Sequence, residues 1–343
     1  MSFRLFVLRC IVISLVWTMR LSTLHAELPI KMDQPFAAKD SLDIGDEANQ
    51  DAQRCLDGLS WKPCEFDVRC DPTGQARYEF TVRFPSPVST DDAINDTVAM
   101  EWHLARDEKG KVITAPAVIV VHESGSKMAV GRAIAFGLSR LGIHAFMIQL
   151  PGYGLRRNEE KQKSSDALLK LTRQAIVDTR RARDAVAVLP MVDQNNIAVQ
   201  GTSLGGFVTA TAASLDRGFD SVFILLAGAD LYGVIQHGDR DVEKLRGRLR
   251  EAGVTDTQLK EMLEPIEPKR VAHRMDPKRT WLFSAKHDTV VPPRHAKLLA
   301  EVARLSSDHH IELNADHYSG AIFLPQVLMQ IRATLKTEAV GAK

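Results

Sequence analysis

Aromatic side chains are scarce in this chain of 343 residues, at 6%, which leaves little material for a broad aromatic pocket and points to a modest one. An excess of either charge is also missing. Lysine and arginine number 44 against 43 aspartates and glutamates, a formal net charge of +1. A nucleic-acid partner ordinarily demands a basic face, so this balance argues against one. The clusters Arg180-Arg181, Arg246 to Arg250 and Lys269-Arg270 read as solvated faces. Internal repeats and low-complexity tracts are absent. Cysteine is limited to Cys10, Cys55, Cys64 and Cys70; their uneven spacing, with no nearby partner histidine, makes a poor zinc site. Outside a reducing compartment two of the last three could pair and leave one free. Neither a metal nor a cofactor is implied.

Long apolar runs are confined to the N-terminus. Met1-Ser2-Phe3-Arg4 is a basic start, Leu5 to Trp17 is mostly apolar, and Leu24-His25-Ala26 offers a small residue before a cut at Glu27. This is the pattern of a secretory signal peptide over residues 1–26, and it predicts a secreted or periplasmic protein. A retained anchor is the alternative, although Arg9 interrupts the run and a span needs ~20 residues. No stable membrane insertion is expected after cleavage. Asn95-Asp96-Thr97 is a glycosylation acceptor pattern where the source uses that pathway.

Residues 27–75 are polar, carry three cysteines and show no sustained periodicity, so they read as an N-terminal extension. From residue 76 onward strand and helix patterns alternate. Tyr78 to Phe84 and Ala99 to Leu104 suit paired edge strands. Ala117 to Val121, His144 to Leu150 and Ile197 to Gln200 follow as buried strands, with helices expected over about 128–141 and 166–189. Repeated beta-alpha units of this kind predict an α/β fold, a mostly parallel sheet with helices on both faces, over residues 76–343. Residues 231–275 form an insertion. Val242, Leu245 and Leu249 mark one amphipathic helix, and Thr255-Asp256-Thr257-Gln258 is a capping box opening a second. The expectation is a small helical cap over the substrate entrance.

The chemistry is concentrated around Gly201-Thr202-Ser203-Leu204-Gly205. This is the Gly-x-Ser-x-Gly elbow, in which a strand turns sharply into a helix with serine at the apex. The glycines remove side chains that would strike the neighbouring strand or an incoming acyl group. A serine hydroxyl needs a base to take its proton, and the base needs a carboxylate to fix its tautomer. Asp288 follows the apolar strand Trp281 to Ala285, and His317 follows the strand Ile311 to Leu313. The expected triad is Ser203, Asp288 and His317, each at the carboxyl end of a strand, where open α/β sheets gather their sites. Asp230, after Val222 to Leu226, is the rival acid. Asp316 stands too close to His317 in sequence, and His309 and His310 precede the last strand and fall at its wrong end. For the oxyanion, the expected amide donors are Leu204 and, on the loop His122-Glu123-Ser124-Gly125, Ser124, with Glu123 as fallback. The Glu123 side chain is expected to tie that loop down.

These residues resemble the alpha/beta-hydrolase superfamily from about Tyr78 to the C-terminus. The His122-Glu123 pair and Leu150-Pro151-Gly152-Tyr153-Gly154 are similar to dienelactone-hydrolase-like and acetyl-esterase-like members. The chain departs from dienelactone hydrolases proper in carrying Ser203 where they carry cysteine. The resemblance implies a serine hydrolase of small-molecule carboxylic esters. A peptidase or amidase with the same triad, and a noncatalytic binding protein on the same fold, remain as alternatives. The acyl and alcohol groups and the oligomeric state are not legible.

Overall fold

The computed structural model describes residues 32–74, 77–160 and 167–341. The expected signal peptide, with Cys10, lies outside the described residues. Ten strands form one sheet: β1 (Phe36–Lys39), β2 (Glu65–Pro72), β3 (Phe80–Pro85), β4 (Thr97–His103), β5 (Ala115–Val121), β6 (His144–Gln149), β7 (Val192–Thr202), β8 (Val222–Leu225), β9 (Thr280–Ala285) and β10 (His310–Leu313). Their order is β1-β2-β3-β4-β6-β5-β7-β8-β9-β10. Neighbours from β1 to β4, and β4 against β6, are antiparallel; from β6 to β10 every neighbouring pair is parallel. Between them lie α1 (Gln50–Leu59), α2 (Ala129–Arg140), α3 (Ala167–Ala187), α4 (Leu204–Ala213), α5 (Leu231–His237), α6 (Asp241–Glu251), α7 (Asp256–Leu263), α8 (Pro268–Val271), α9 (Pro293–Val302) and α10 (Leu324–Gly341).

The apolar run of β5 explains the layering. Side chains alternate across a strand, so Ala117, Ile119 and Val121 enter one core while Val118 and Val120 enter the other. The first core is closed by residues of α3, α4 and α9 such as Ile176, Val208 and Leu299, and the second by α2 and α10 through Ile134, Leu138 and Ile331. A strand buried on both faces has no polar side to show, which is why its sequence is continuous rather than alternating.

The polar segment ahead of Tyr78 is built into this body. In β2, Phe66, Val68 and Cys70 are buried while Glu65, Asp67 and Arg69 are exposed, a period-two pattern over too few residues to stand out in the sequence. Long-range ion pairs secure the segment to α3. Asp40 accepts from Arg181 Nε at 2.9 Å and Nη2 at 2.5 Å, and Ser41 Oγ donates to Asp184 at 2.6 Å. No disulfide forms among its cysteines, contrary to the pairing that sequence suggested. Cys55 on α1 donates to the Pro265 carbonyl, Cys70 points into the core, and Cys64 sits exposed beside Arg181. Burial pushes the Cys55 and Cys70 thiols up to about 12, which leaves both inert. The acceptor pattern at Asn95 also fails as a glycan site: the side chain is buried, and its amide donates to Gln174.

Within the insertion, the capping box at Thr255 forms as read, with Gln258 Oε1 accepting from the Thr255 amide at 2.9 Å. The insertion divides in two. Its rear residues Val271, Ala272 and Met275 belong to the main core, whereas the start of α6 reaches the carboxyl edge of the sheet.

Candidate active site

Ser203 occupies the turn between β7 and α4 with φ 53° and ψ −116°. Such a backbone is strained for a residue with a side chain and persists only where its surroundings fix it. Here the Ser203 amide donates to the Leu225 carbonyl at 2.8 Å, and the amide of Gly206 donates back to the Ser203 carbonyl at 2.8 Å. The glycines are steric necessities. A β-carbon at Gly201 would overlap the Gly205 carbonyl, and one at Gly205 would overlap the Val121 carbonyl of β5. The elbow is thereby pressed against the end of β5, at the point where successive connections leave the sheet in opposite directions.

Three of the sequence candidates meet there. Ser203 Oγ lies 3.0 Å from His317 Nε2, and His317 Nδ1 lies 2.7 Å from Asp288 Oδ2. Asp288 is buried, and its other oxygen, Oδ1, accepts from the amides of Val290 at 2.9 Å and Val291 at 2.8 Å. Both carboxylate oxygens are therefore committed, and the carboxylate fixes the proton of His317 on Nδ1, leaving Nε2 free to accept from serine. Asp230 is placed elsewhere. It caps α5 by accepting from the Gly233 amide at 3.1 Å, and its own amide donates to Glu267 at 2.8 Å. Asp316 accepts from the amides of Tyr318 and Ser319 and shapes the turn after His317. His309 and His310 bond to Thr280 and Ser284 of β9.

The loop after β5 is held from several sides. His122 Nε2 accepts from the Leu150 amide at 3.1 Å, so its proton sits on Nδ1, which donates to the Glu123 carbonyl at 2.5 Å. Burial lowers the His122 pKa and keeps the ring neutral in this role. The Glu123 carbonyl and the Ser124 amide share one peptide plane and point in opposite directions. Turning the carbonyl toward His122 therefore turns the Ser124 N–H away from it. The Glu123 carboxylate settles the question that sequence left open: its two oxygens accept from the amides of Val130 at 3.1 Å and Gly131 at 3.0 Å. It caps α2, whose own N-cap, Met128, supplies no side-chain acceptor. Leu204 is the first residue of α4, where an amide has no acceptor within the helix.

Residues 165–323, a stretch that includes Ser203, Asp288 and His317, match the model of the Prolyl oligopeptidase family. No curated protein matches the chain by sequence. Among solved structures the chain is similar to an acetyl xylan esterase from Paenibacillus sp. R4, with a TM-score of 0.58 and 16% identity over 85% of this chain and 96% of that one. It is also similar to the alpha/beta hydrolase GrgF from Penicillium sp. sh18, with a TM-score of 0.53 and 15% identity over 74% of this chain and 96% of the other. A third similar structure is a puromycin-hydrolyzing peptidase of Mycobacterium tuberculosis, with a TM-score of 0.52 and 14% identity over 79% of this chain and 44% of that one.

The chain has the alpha/beta-hydrolase fold.

Two aromatic residues at the mouth of this hydrolase fold had no role in the sequence reading. Tyr153 donates through its hydroxyl to the Ser124 carbonyl at 3.1 Å and packs edge-on to His122, with ring centroids 4.7 Å apart. Tyr318, the residue after His317, stands edge-on to that imidazole at 5.6 Å and is 47% exposed. Adjacency in sequence to His317 was the signal for Tyr318. For Tyr153 the signal was the run Leu150-Pro151-Gly152-Tyr153-Gly154 after β6, which carries the resemblance without giving the tyrosine a role. That loop is locked by Gln149, whose Oε1 accepts from the Leu155 amide at 2.7 Å while its Nε2 donates to buried Glu101 at 3.0 Å.

Proposed function

We propose that the chain is a serine hydrolase that cleaves carboxylic esters through an acyl-serine intermediate. The observation that carries this reading is the continuous relay from Ser203 Oγ through His317 to Asp288, at 3.0 Å and 2.7 Å. His317 Nε2 takes the proton from Ser203 as Oγ attacks the carbonyl carbon. Asp288 stabilises the imidazolium that results. The oxyanion is held by the amides of Leu204 and Ser124, and one such donor is commonly worth ~3 kcal/mol. The proton on Nε2 then passes to the departing alcohol oxygen. Water enters, gives a proton to Nε2, and its hydroxide oxygen attacks the acyl carbon; collapse returns the proton to Ser203 Oγ and releases the acid. No metal or redox partner is needed for any step. His122 keeps the Ser124 amide aimed throughout, as a positioning residue.

A peptidase is the second reading, favoured by the family match over residues 165–323. Export is part of the proposal as well: residues 1–26 carry the pattern of a leader, and N-terminal sequencing of the native protein would place its end near Ala26. The decisive test is fluorophosphonate labelling with mass-spectrometric mapping, since only an activated serine reacts. Labelling at Ser203, with hydrolysis of 4-nitrophenyl acetate that is lost in Ser203→Ala, is the expected result. Wild-type turnover by a folded Ser203→Ala protein would sink the reading. Faster cleavage of peptide anilides than of matched aryl esters would favour the peptidase.

A further inference from the structure

Helix α6 carries Arg240 at its N-cap and Lys244 and Arg248 along its length. This helix begins at the rim formed by the histidine loop. The Arg240 guanidinium stands over the Tyr318 ring at 4.8 Å, and the Tyr318 hydroxyl donates to Asp241 at 3.4 Å. The amide of Asp239 donates to the Thr289 carbonyl at 2.9 Å, which ties the start of the helix to the loop carrying Asp288. Val242 packs against the cluster of Val234, Val290 and Val291, the last two being the residues whose amides bind Asp288. From the N-cap Arg240, Lys244 and Arg248 follow at intervals of four, so these two share one face of the helix that Arg240 heads. All three are exposed. Burial and the charge of Glu123 push the Tyr153 hydroxyl up, and the positive charge of Arg248 opposes them. The basic face thus starts at Tyr318, the neighbour of His317.

Nearby acids offset part of it: Asp316 accepts from the amide of Tyr318, the residue that Arg240 covers. Asp241 pairs with Lys244 at 3.1 Å and so offsets the middle cation. Glu243 is exposed and lies outside the row set by Arg240, Lys244 and Arg248. Glu123 is turned into the start of α2. Among the described residues Arg240 and Arg248 form no ion pair, whereas Lys244 does. Arg246, by contrast, spends its charge on the carbonyls of Ile235, Gln236 and Gly238, and fastens α6 to α5.

We propose that this face of α6 selects esters bearing a carboxylate remote from the scissile bond, so that the substrate class is the anionic ester. The inference rests on the serine-hydrolase reading and narrows it. Exposed cations act at range and are screened by salt, so their signature is an ionic-strength-dependent gain in kcat/KM for the charged substrate.

The experiment compares matched pairs of esters with the full chain. One pair puts the charge on the leaving group, 3-acetoxybenzoate against methyl 3-acetoxybenzoate. The other puts it on the acyl group, 4-nitrophenyl hydrogen adipate against 4-nitrophenyl methyl adipate. Each kcat/KM is normalised to the ester's rate of alkaline hydrolysis. In at least one pair the anion should be preferred by about tenfold at ~0.02 M salt, and the preference should shrink by ~0.5 M. It should fall to about unity in Arg240→Gln/Lys244→Gln/Arg248→Gln and survive in Arg240→Lys/Arg248→Lys, which keeps the charges. A wild-type ratio of one or less in both pairs, with neutral esters cleaved and Ser203 labelled, overturns the inference and leaves the hydrolase reading standing. A preference that persists in the glutamine variant overturns it too. Absence of both labelling and ester cleavage sinks the hydrolase reading, and this inference with it.

Discussion

Replacing Asp288 by asparagine is a sharp test of the relay, because the structure dictates how the amide must sit. Oδ1 of Asp288 accepts two backbone amides, from Val290 and Val291, and Oδ2 faces His317 Nδ1. An asparagine has one acceptor end and one donor end. Presenting its NH₂ to Val290 and Val291 would leave buried amides unsatisfied, at about 1–3 kcal/mol each. The carbonyl therefore stays with those amides, and the NH₂ is aimed at His317. That imidazole must then offer Nδ1 as an acceptor and carry its proton on Nε2, 3.0 Å from Ser203 Oγ. In that tautomer it donates toward the serine and takes nothing from it. Loss of the base and of the charge that stabilises imidazolium together predict a fall of about 10⁴ in kcat, or about 5.5 kcal/mol. Melting should barely change, since both amide bonds survive. Asp230→Asn is the matched control, because that carboxylate caps α5 through Gly233 and the structure gives it no bond to His317. Burst kinetics on 4-nitrophenyl acetate and the rate of fluorophosphonate labelling measure both. A folded Asp288→Asn protein within tenfold of wild type, or a larger loss from Asp230→Asn, would refute the assignment of the acid.

Two further outcomes concern stability. Glu123→Gln keeps an acceptor for one of the Val130 and Gly131 amides and turns an NH₂ on the other, so unfolding should become easier by about 1–2 kcal/mol. Turnover per folded molecule should change by less than about threefold, and a large turnover loss at unchanged melting would give Glu123 a catalytic role. His144 governs part of the acid limb. It is fully buried, its Nδ1 accepts from Trp102 Nε1 at 3.2 Å and from the Ala105 amide at 3.0 Å, and burial depresses its pKa to about 4. Its folded pKa lies below the unfolded value near 6.5, so the unfolded chain binds the extra proton first. Stability is therefore full above about pH 6.5 and declines toward pH 4, by ~3 kcal/mol from this residue. Chemical denaturation at pH 7, 5.5 and 4.5 should show that decline, and a His144→Gln variant should show a shallower one. An equal slope in the two proteins would remove His144 as its source.

The parallel half of the fold was readable because its inner strands β5, β6, β8 and β9 are buried on both faces, and helices such as α2 and α9 on one, so burial wrote itself into continuous runs and a 3.6-residue period. The segment from residue 27 to 75 was opaque for a physical reason. Its strands lie at the sheet edge and bury only alternate residues, and much of its fixation comes from Asp40, Ser41 and their partners Arg181 and Asp184, more than a hundred residues away. Charged side chains at such separations read as solvated in sequence, as Arg180-Arg181 do. Both are buried, Arg180 between Asp184 and Asp216 and Arg181 on Asp40. The cysteines misled similarly: crowding in sequence suggested a bridge, but the pleat of β2 and the packing of α1 on Pro265 send Cys70 and Cys55 to different partners.

At the site, sequence order and strand ends sufficed to nominate Ser203, Asp288 and His317, because each belongs to a turn whose chemistry is local. The supporting residues were less legible, since their work is done across the sheet. His122 closes its circuit on Leu150, at the end of the neighbouring strand, and Tyr153 comes back from that strand to the Ser124 carbonyl. Gly131 lets α2 sit so close to the loop that an added β-carbon would come within 2.7 Å of the His122 β-carbon. A rigid donor is worth most where charge appears only in the transition state, because orientation settled during folding need not be supplied during reaction. The loop after β5 meets that condition with backbone and side-chain bonds alone. If Ser124 donates to the oxyanion as proposed, His122 supports catalysis without touching substrate, and His122→Gln should lower kcat with little change in KM. A rise in KM at constant kcat would place His122 in ground-state binding instead.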